Sequence, residues 1–105
     1  TLKEEGCYQF GKKQGKWNSY YSSGILKKKE NFNKDKLDGE MIKWHQNGKK
    51  KEKGIFRNGK REGIFFSWKE DGSLYSKRSF VNGLMCYDIK YSDSGSITTV
   101  DNYCD

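Results

Sequence analysis

An aromatic residue recurs at Tyr8, Phe32, Phe56, Phe80 and Tyr103, in steps of 24, 24, 24 and 23 residues. A fixed step of this size marks a fold built by stacking one supersecondary unit on the next. Further columns keep the step. A second aromatic column holds Tyr20, Trp44, Trp68 and Tyr91, and a glycine column holds Gly24, Gly48, Gly72 and Gly95. Gly15, Gly39 and Gly63 form another, with Cys86 in the last slot, and a bulky position two residues on holds Trp17, Met41 and Phe65 before breaking to Asp88.

Within each unit the chain is punctuated by turn sequences: Ser22-Ser23-Gly24, Gln46-Asn47-Gly48, Glu70-Asp71-Gly72 and Asp93-Ser94-Gly95. Between units stand Asn58-Gly59 and Asn82-Gly83, the pair that most favours a two-residue β-hairpin turn. The segments between glycines are too short for stable helices, and each interior glycine would cost a helix about 1 kcal/mol. From Leu26 to Phe32, Leu74 to Phe80 and Ile97 to Tyr103 the large residues lie six apart, an even offset that predicts one face of a strand. With every connection a short hairpin, the expected fold is all-β: an elongated antiparallel meander, a single-sheet ribbon of about nine strands spanning roughly 40 Å. The chain reads as one domain, residues 1–105, with a partial unit at about 8–14, units at 15–38, 39–62 and 63–85, and a capping unit at 86–105. Tyr20, Trp44, Trp68 and Tyr91 are expected to form a stacked ladder of cross-strand contacts worth about 0.2–1 kcal/mol per pair.

Only 32% of the 105 residues are hydrophobic, which alone would suggest disorder, but the 15% aromatic content argues for a thin, aromatic-cored structure. The formal charge of +7 favours acidic partners. Cys7, Cys86 and Cys104 lack metal-ligand spacing. A Cys86–Cys104 disulfide across the last hairpin is geometrically feasible, with free thiols as the alternative; one bond plus one thiol would suit an exported or cell-surface protein. No stretch is long and apolar enough to suggest a membrane-spanning helix, and Thr1 at the start suggests a processed or trimmed product.

The stretches Gly39-Glu40-Met41-Ile42-Lys43-Trp44-His45-Gln46-Asn47-Gly48 and Phe56-Arg57-Asn58-Gly59-Lys60-Arg61-Glu62-Gly63-Ile64-Phe65-Phe66-Ser67-Trp68 resemble MORN repeats, in the variant found in bacterial antitoxin-type proteins. Weaker copies extend the resemblance from about Tyr8 to Tyr103. It implies a twisted sheet of successive hairpins and roles in binding proteins and acidic phospholipids. Cys86 and Asp88 depart from the pattern, marking the last unit as a cap.

No cofactor, metal or catalytic constellation is expected. His45 is the sole histidine and reads as a surface residue. The carboxylates fall in turns or at strand ends, and no phosphate-cradling glycine loop is present. The chain is therefore expected to bind rather than catalyse. Lys27-Lys28-Lys29 and Lys49-Lys50-Lys51 follow successive intra-unit turns, two strands and about 10 Å apart, so part of their charge can merge into one basic stripe. With Arg57, Lys60 and Arg61 they make the candidate electrostatic surface, and Tyr20, Trp44 and Trp68 its aromatic element. The leading expectation is a protein partner, acidic in character, recognised as an antitoxin or immunity-type neutraliser recognises its target. Anionic phospholipid is the alternative, and nucleic acid ranks lower because packing already accounts for the aromatics.

Overall fold

The computed structural model describes residues 3–104, so Thr1, the expected processed terminus, lies outside the described residues. The chain forms one open antiparallel sheet: β1 (Glu4–Gln9), β2 (Lys12–Tyr20), β3 (Leu26–Asn33), β4 (Lys36–Leu37), β5 (Gly39–Trp44), β6 (Lys50–Arg57), β7 (Lys60–Trp68), β8 (Leu74–Val81), β9 (Leu84–Tyr91) and β10 (Ile97–Asn102). Nine strands follow one another in chain order, and the two-residue β4 pairs only with β3. The tenth strand, beyond the expected nine, arises because the chain breaks at Asp38, where the Asp38 amide donates to the Asn31 carbonyl. The sheet measures 45 × 35 × 12 Å, a single layer with both faces open.

Two turn types alternate along its two edges. Between units, Phe10-Gly11, Lys34-Asp35, Asn58-Gly59 and Asn82-Gly83 all have positive φ at both central residues, the type I′ geometry that matches strand twist. Asn and Gly tolerate this conformation, so two turns were legible; Phe10, at φ 52°, adopts it despite its bulk. Within units, the Tyr21 amide bonds the Ile25 carbonyl and the Gly24 amide bonds the Tyr21 carbonyl, each at 2.8 Å. The same pair recurs at His45–Lys49, Lys69–Ser73 and Ser92–Ser96.

The last three of these I′ turns are also pinned to the preceding unit. The amides of Asp35, Gly59 and Gly83 donate to the carbonyls of Lys13, Leu37 and Arg61 at 3.0, 2.7 and 3.0 Å. The side chains of Gln14, Asp38 and Glu62, themselves one period apart, accept from the amides of Lys34, Asn58 and Asn82. These bonds satisfy turn donors that would otherwise depend on water.

The buried apolar residues are Trp17, Met41, Phe65 and Phe80. Trp17 packs edge-on to Tyr8 and Phe32, and Phe65 edge-on to Phe56 and Phe80, with centroids 5.0–6.2 Å apart. The core is therefore the bulky column interleaved with the Tyr8–Phe80 column. Room for the rings comes from the neighbouring strand. A Cβ on Gly6 would lie 2.1 Å from the Trp17 ring, and one on Gly54 would lie 2.4 Å from the Phe65 ring. The ladder shifts register at both glycines. One period on from each, the slot holds Glu30 and Arg78, facing the slimmer Met41 and the charged Asp88.

One expectation about faces is corrected. Leu26 pairs with Tyr20 while Phe32 pairs with Gly15, and a register shift between Ser19 and Tyr20 leaves Lys27 as an extra residue. This β-bulge reverses the alternation, so Leu26 and Phe32 lie on opposite faces despite their even offset. The bulge recurs opposite Trp44, Trp68 and Tyr91. Tyr20, Trp44, Trp68 and Tyr91, three residues after the core column on their own strands, occupy the back face, and the bulge brings Leu26, Lys50, Leu74 and Ile97 beside them. Tyr20, Trp68 and Tyr91 pair across their hairpins with Leu26, Leu74 and Ile97, the cross-strand contacts expected of the ladder, while Trp44 pairs with Lys50. One strand lies between each of the four and the next, and Trp68 also stacks on Phe66, 5.9 Å away in its own strand.

Cys86 and Cys104 form a disulfide with Cα atoms 4.8 Å apart, and Cys7 is a free, exposed thiol. The bond holds the chain after β10, whose side chains are all exposed, against β9.

Gly54→Ala is expected to destabilise the protein by about 1–3 kcal/mol, as overpacking does in a filled core. Equilibrium urea unfolding of Gly54→Ala, Phe65→Leu and the double variant should give non-additive losses, with Phe65→Leu costing less in the alanine background. Strict additivity would contradict the contact.

Candidate functional site

The one-period columns also decide which side chains meet along the intra-unit turn edge. Tyr21, His45, Lys69 and Ser92 open the four turns, and the bulge slots hold Lys27, Lys51, Tyr75 and Thr98. The turn-opening side chains reach into the next unit. Tyr21 Oη donates to the Trp44 carbonyl at 2.7 Å, and His45 Nε2 donates to the Trp68 carbonyl at 2.9 Å. Asn47 Nδ2 and Lys49 Nζ donate to the carbonyls of Glu70 and Asp71 at 2.6 and 3.1 Å. His45 is thus partly buried and ties two units together, where a plain surface histidine was expected.

Three adjoining hollows lie along this edge. One, of about 160 Å³, is lined by Tyr21, Lys27, Lys28, Lys43, Trp44 and Lys51. The next, about 260 Å³, shares Lys43 and Lys51 and adds His45, Glu52, Ser67, Trp68 and Tyr75. The third, about 440 Å³, joins Tyr21, His45 and Lys51 to Gln46, Asn47 and Glu70. Lys51 borders all three. Together they make one groove, basic where Lys27, Lys28, Lys43 and Lys51 converge and mixed in charge where Glu52 and Glu70 join Lys51.

Within it, Lys28 pairs with Glu30 at 3.4 Å and Lys43 with Glu52 at 3.7 Å; Glu52 also accepts from Arg78 at 3.0 Å. Lys27 and Lys51 have no carboxylate partner among the described residues; Lys27 Nζ sits 5.7 Å above the Tyr21 ring. The groove therefore carries two uncommitted ammonium groups along an edge that also presents Tyr21 and Tyr75.

The residues expected to form one stripe are distributed over the molecule. Lys27, Lys28, Lys51 and Trp44 converge in the groove, and Trp68 borders its middle section. The two lysine triplets are not equivalent: a 24-residue step carries Lys27 to Lys51, and Lys49 back to Ile25. Lys49 lies in a turn with its stem near Gly72, and Lys50 pairs with Trp44 on the back face. Lys29 also lies on the back face, in a cross-strand row where Lys29, Lys53 and Lys77 alternate with Ile42, Phe66 and Ile89. Arg57 and Lys60 flank Asn58-Gly59 at the opposite edge, and the Arg61 guanidinium covers Phe65 and Phe80, 5.4 Å from each ring. Tyr21 and Lys43 went unnoticed in the sequence, yet both stand in one-period columns, Tyr21/His45/Lys69 and Ser19/Lys43/Ser67, whose identities vary while the position is kept.

Tyr20 is committed elsewhere. Its phenol donates to Glu5 Oε1 at 2.7 Å, which pushes the Tyr20 pKa above the ordinary tyrosine range. The same bond, helped by Asn18, holds Glu5 below the ordinary carboxylate range. The charged acceptor favours the protonated phenol, so Glu5→Gln should bring the Tyr20 midpoint back down. An NMR titration of ¹³C-labelled tyrosine reads this for each of the seven tyrosines, and an unmoved Tyr20 midpoint would contradict the bond.

No curated protein and no solved structure matches the chain. The MORN repeat variant matches three consecutive segments, residues 13–34, 37–58 and 61–82. Each begins beside the lysine or arginine that follows an I′ turn and ends at the next such turn, so the family's unit is the same period cut at a different point. The matched segments cover more than half of the chain, which carries that period through its turns, bulges and core: the protein belongs to the MORN repeat variant family.

Proposed function

We propose that this protein is a non-enzymatic binding module that recognises another protein along its intra-unit turn edge, acting as a neutraliser in the manner of an antitoxin or immunity protein. The observation carrying this reading is the groove in which Lys27 and Lys51, without carboxylate partners among the described residues, meet the Tyr21 ring and, farther along, Tyr75. Such pairing of aromatic surface with available charge is the composition of a recognition site. The turn-opening side chains support it, because their bonds to the next unit hold the groove walls before any partner arrives, reducing the ordering that binding must impose.

A second reading, attachment to anionic phospholipid, is favoured by the opposite edge. Phe10 is 95% exposed at the tip of its turn, and Lys12, Lys36 and Lys60 recur there one period apart with Lys34 and Arg57 beside them. An aromatic tip above a basic row suits a headgroup surface.

A photo-crosslinking residue at Gln46, on the groove rim, is expected to trap one protein of discrete mass in the source cell, while the same residue at Lys12 traps none. Trapping at Lys12 alone, with salt-sensitive sedimentation on phosphatidylserine vesicles that Phe10→Ser abolishes, would overturn the protein reading in favour of lipid.

A further inference from the structure

The groove changes character along its length, and that change restricts what can lie in it. At the Tyr21 end Lys27, Lys28, Lys43 and Lys51 face one hollow against two nearby carboxylates, Glu30 and Glu52. Farther along, Lys51 remains and Glu52 and Glu70 join the lining, with Tyr75 as a wall. A strand bearing a negative charge at every residue, such as a nucleic acid or polyphosphate, would bring its far charges against those glutamates. A ligand negative at one end and neutral or apolar at the other meets complementary groups throughout.

The bulge fixes where the basic end stops. Its slot carries lysine in the first two full units, Lys27 and Lys51, then Tyr75 and Thr98. Because the slot recurs every second strand, the Lys27 and Lys51 backbones stand about 10 Å apart. In an extended peptide, residues two apart point the same way at about 7 Å. Flexible lysine stems cover the difference, so two carboxylates in alternate positions can each meet one ammonium group.

We propose that the partner enters this groove as an extended segment with at least two acidic residues at its leading end, held between Lys27 and Lys51, followed by uncharged residues lying on Tyr75. This deepens the protein-binding reading and rests on it.

The probe is a fluorescein-labelled peptide of four glutamates followed by Gly-Ser-Thr-Tyr, with a four-glutamine counterpart and octathymidylate as comparisons. The glutamate peptide is expected to bind, to weaken as salt is raised to about 0.3 M, and to shift the NMR signals of Tyr21, Trp44 and His45. Lys27→Gln/Lys51→Gln is expected to weaken it by about tenfold or more. Lys12→Gln/Lys36→Gln, which removes equal charge from the opposite edge, should change it by less than about twofold. Both double variants alter side chains without carboxylate partners, and unchanged thermal melts verify that they fold. Equal losses in the two variants, tighter binding of octathymidylate, or no binding of the glutamate peptide would each overturn the proposal. If the peptide fails while the Gln46 crosslinker still traps a protein, the groove's ligand is wrong and the module reading stands; if neither occurs, both fall.

Discussion

A ring lying directly on the backbone of the neighbouring strand is the contact on which this sheet depends. A single layer 12 Å thick has no second layer to press against, so its apolar side chains can be covered only by their own neighbours. Trp17 over Gly6 and Phe65 over Gly54 solve this by removing the side chain opposite each ring. The ring then reaches aromatic residues on both sides, edge to face, and becomes buried in a structure with very little interior.

Bulges and turns convert that packing into a site. Trp17, Met41 and Phe65 stand three residues before Tyr20, Trp44 and Trp68 on the same strands, an odd offset that sends the two columns to opposite faces, and each bulge on the following strand turns Leu26, Lys50 and Leu74 to the second face. The extra residue it creates stands at the turn edge, and in two units that residue is lysine. Tyr21 and His45, reaching to the next unit's carbonyls, hold the edge in register, so the groove follows from the same contacts that couple one repeat to another. Fold and recognition surface therefore share residues.

The period, the hairpin connections and the open meander were legible because turn glycines and bulky residues recur visibly, and Asn58-Gly59 and Asn82-Gly83 carry a strong local preference. Face assignment was not legible. Counting from Leu26 to Phe32 assumes unbroken alternation, and one inserted residue at Lys27 reverses it without leaving a glycine or proline as a sign. The disulfide depended on the same local irregularity: a shift near Ile97 brings Tyr103 level with Cys86, one residue nearer than an unbroken ladder would, and the chain leaves β10 after Asn102, so Cys104 comes within 4.8 Å of Cys86, Cα to Cα. The basic stripe was half legible. Proximity of two lysine triplets was correct, but their phase was not, so only Lys27, Lys28 and Lys51 reach the groove. Columns that vary in identity, such as Tyr21/His45/Lys69 and Gln14/Asp38/Glu62, keep only a hydrogen-bonding role, which residue type alone conceals.

The ring-on-glycine contact leaves a direct spectroscopic mark. In Gly6 and Gly54 one Hα points into the face of Trp17 or Phe65 and must lie in the shielding cone of that ring. A ¹H–¹³C NMR spectrum is predicted to resolve one Hα of each glycine far upfield of its geminal partner. Gly11, Gly24 and Gly48, which have nothing within 4 Å on that side, should show no such split. Unshifted Hα pairs at Gly6 and Gly54 would contradict the packing on which the account rests.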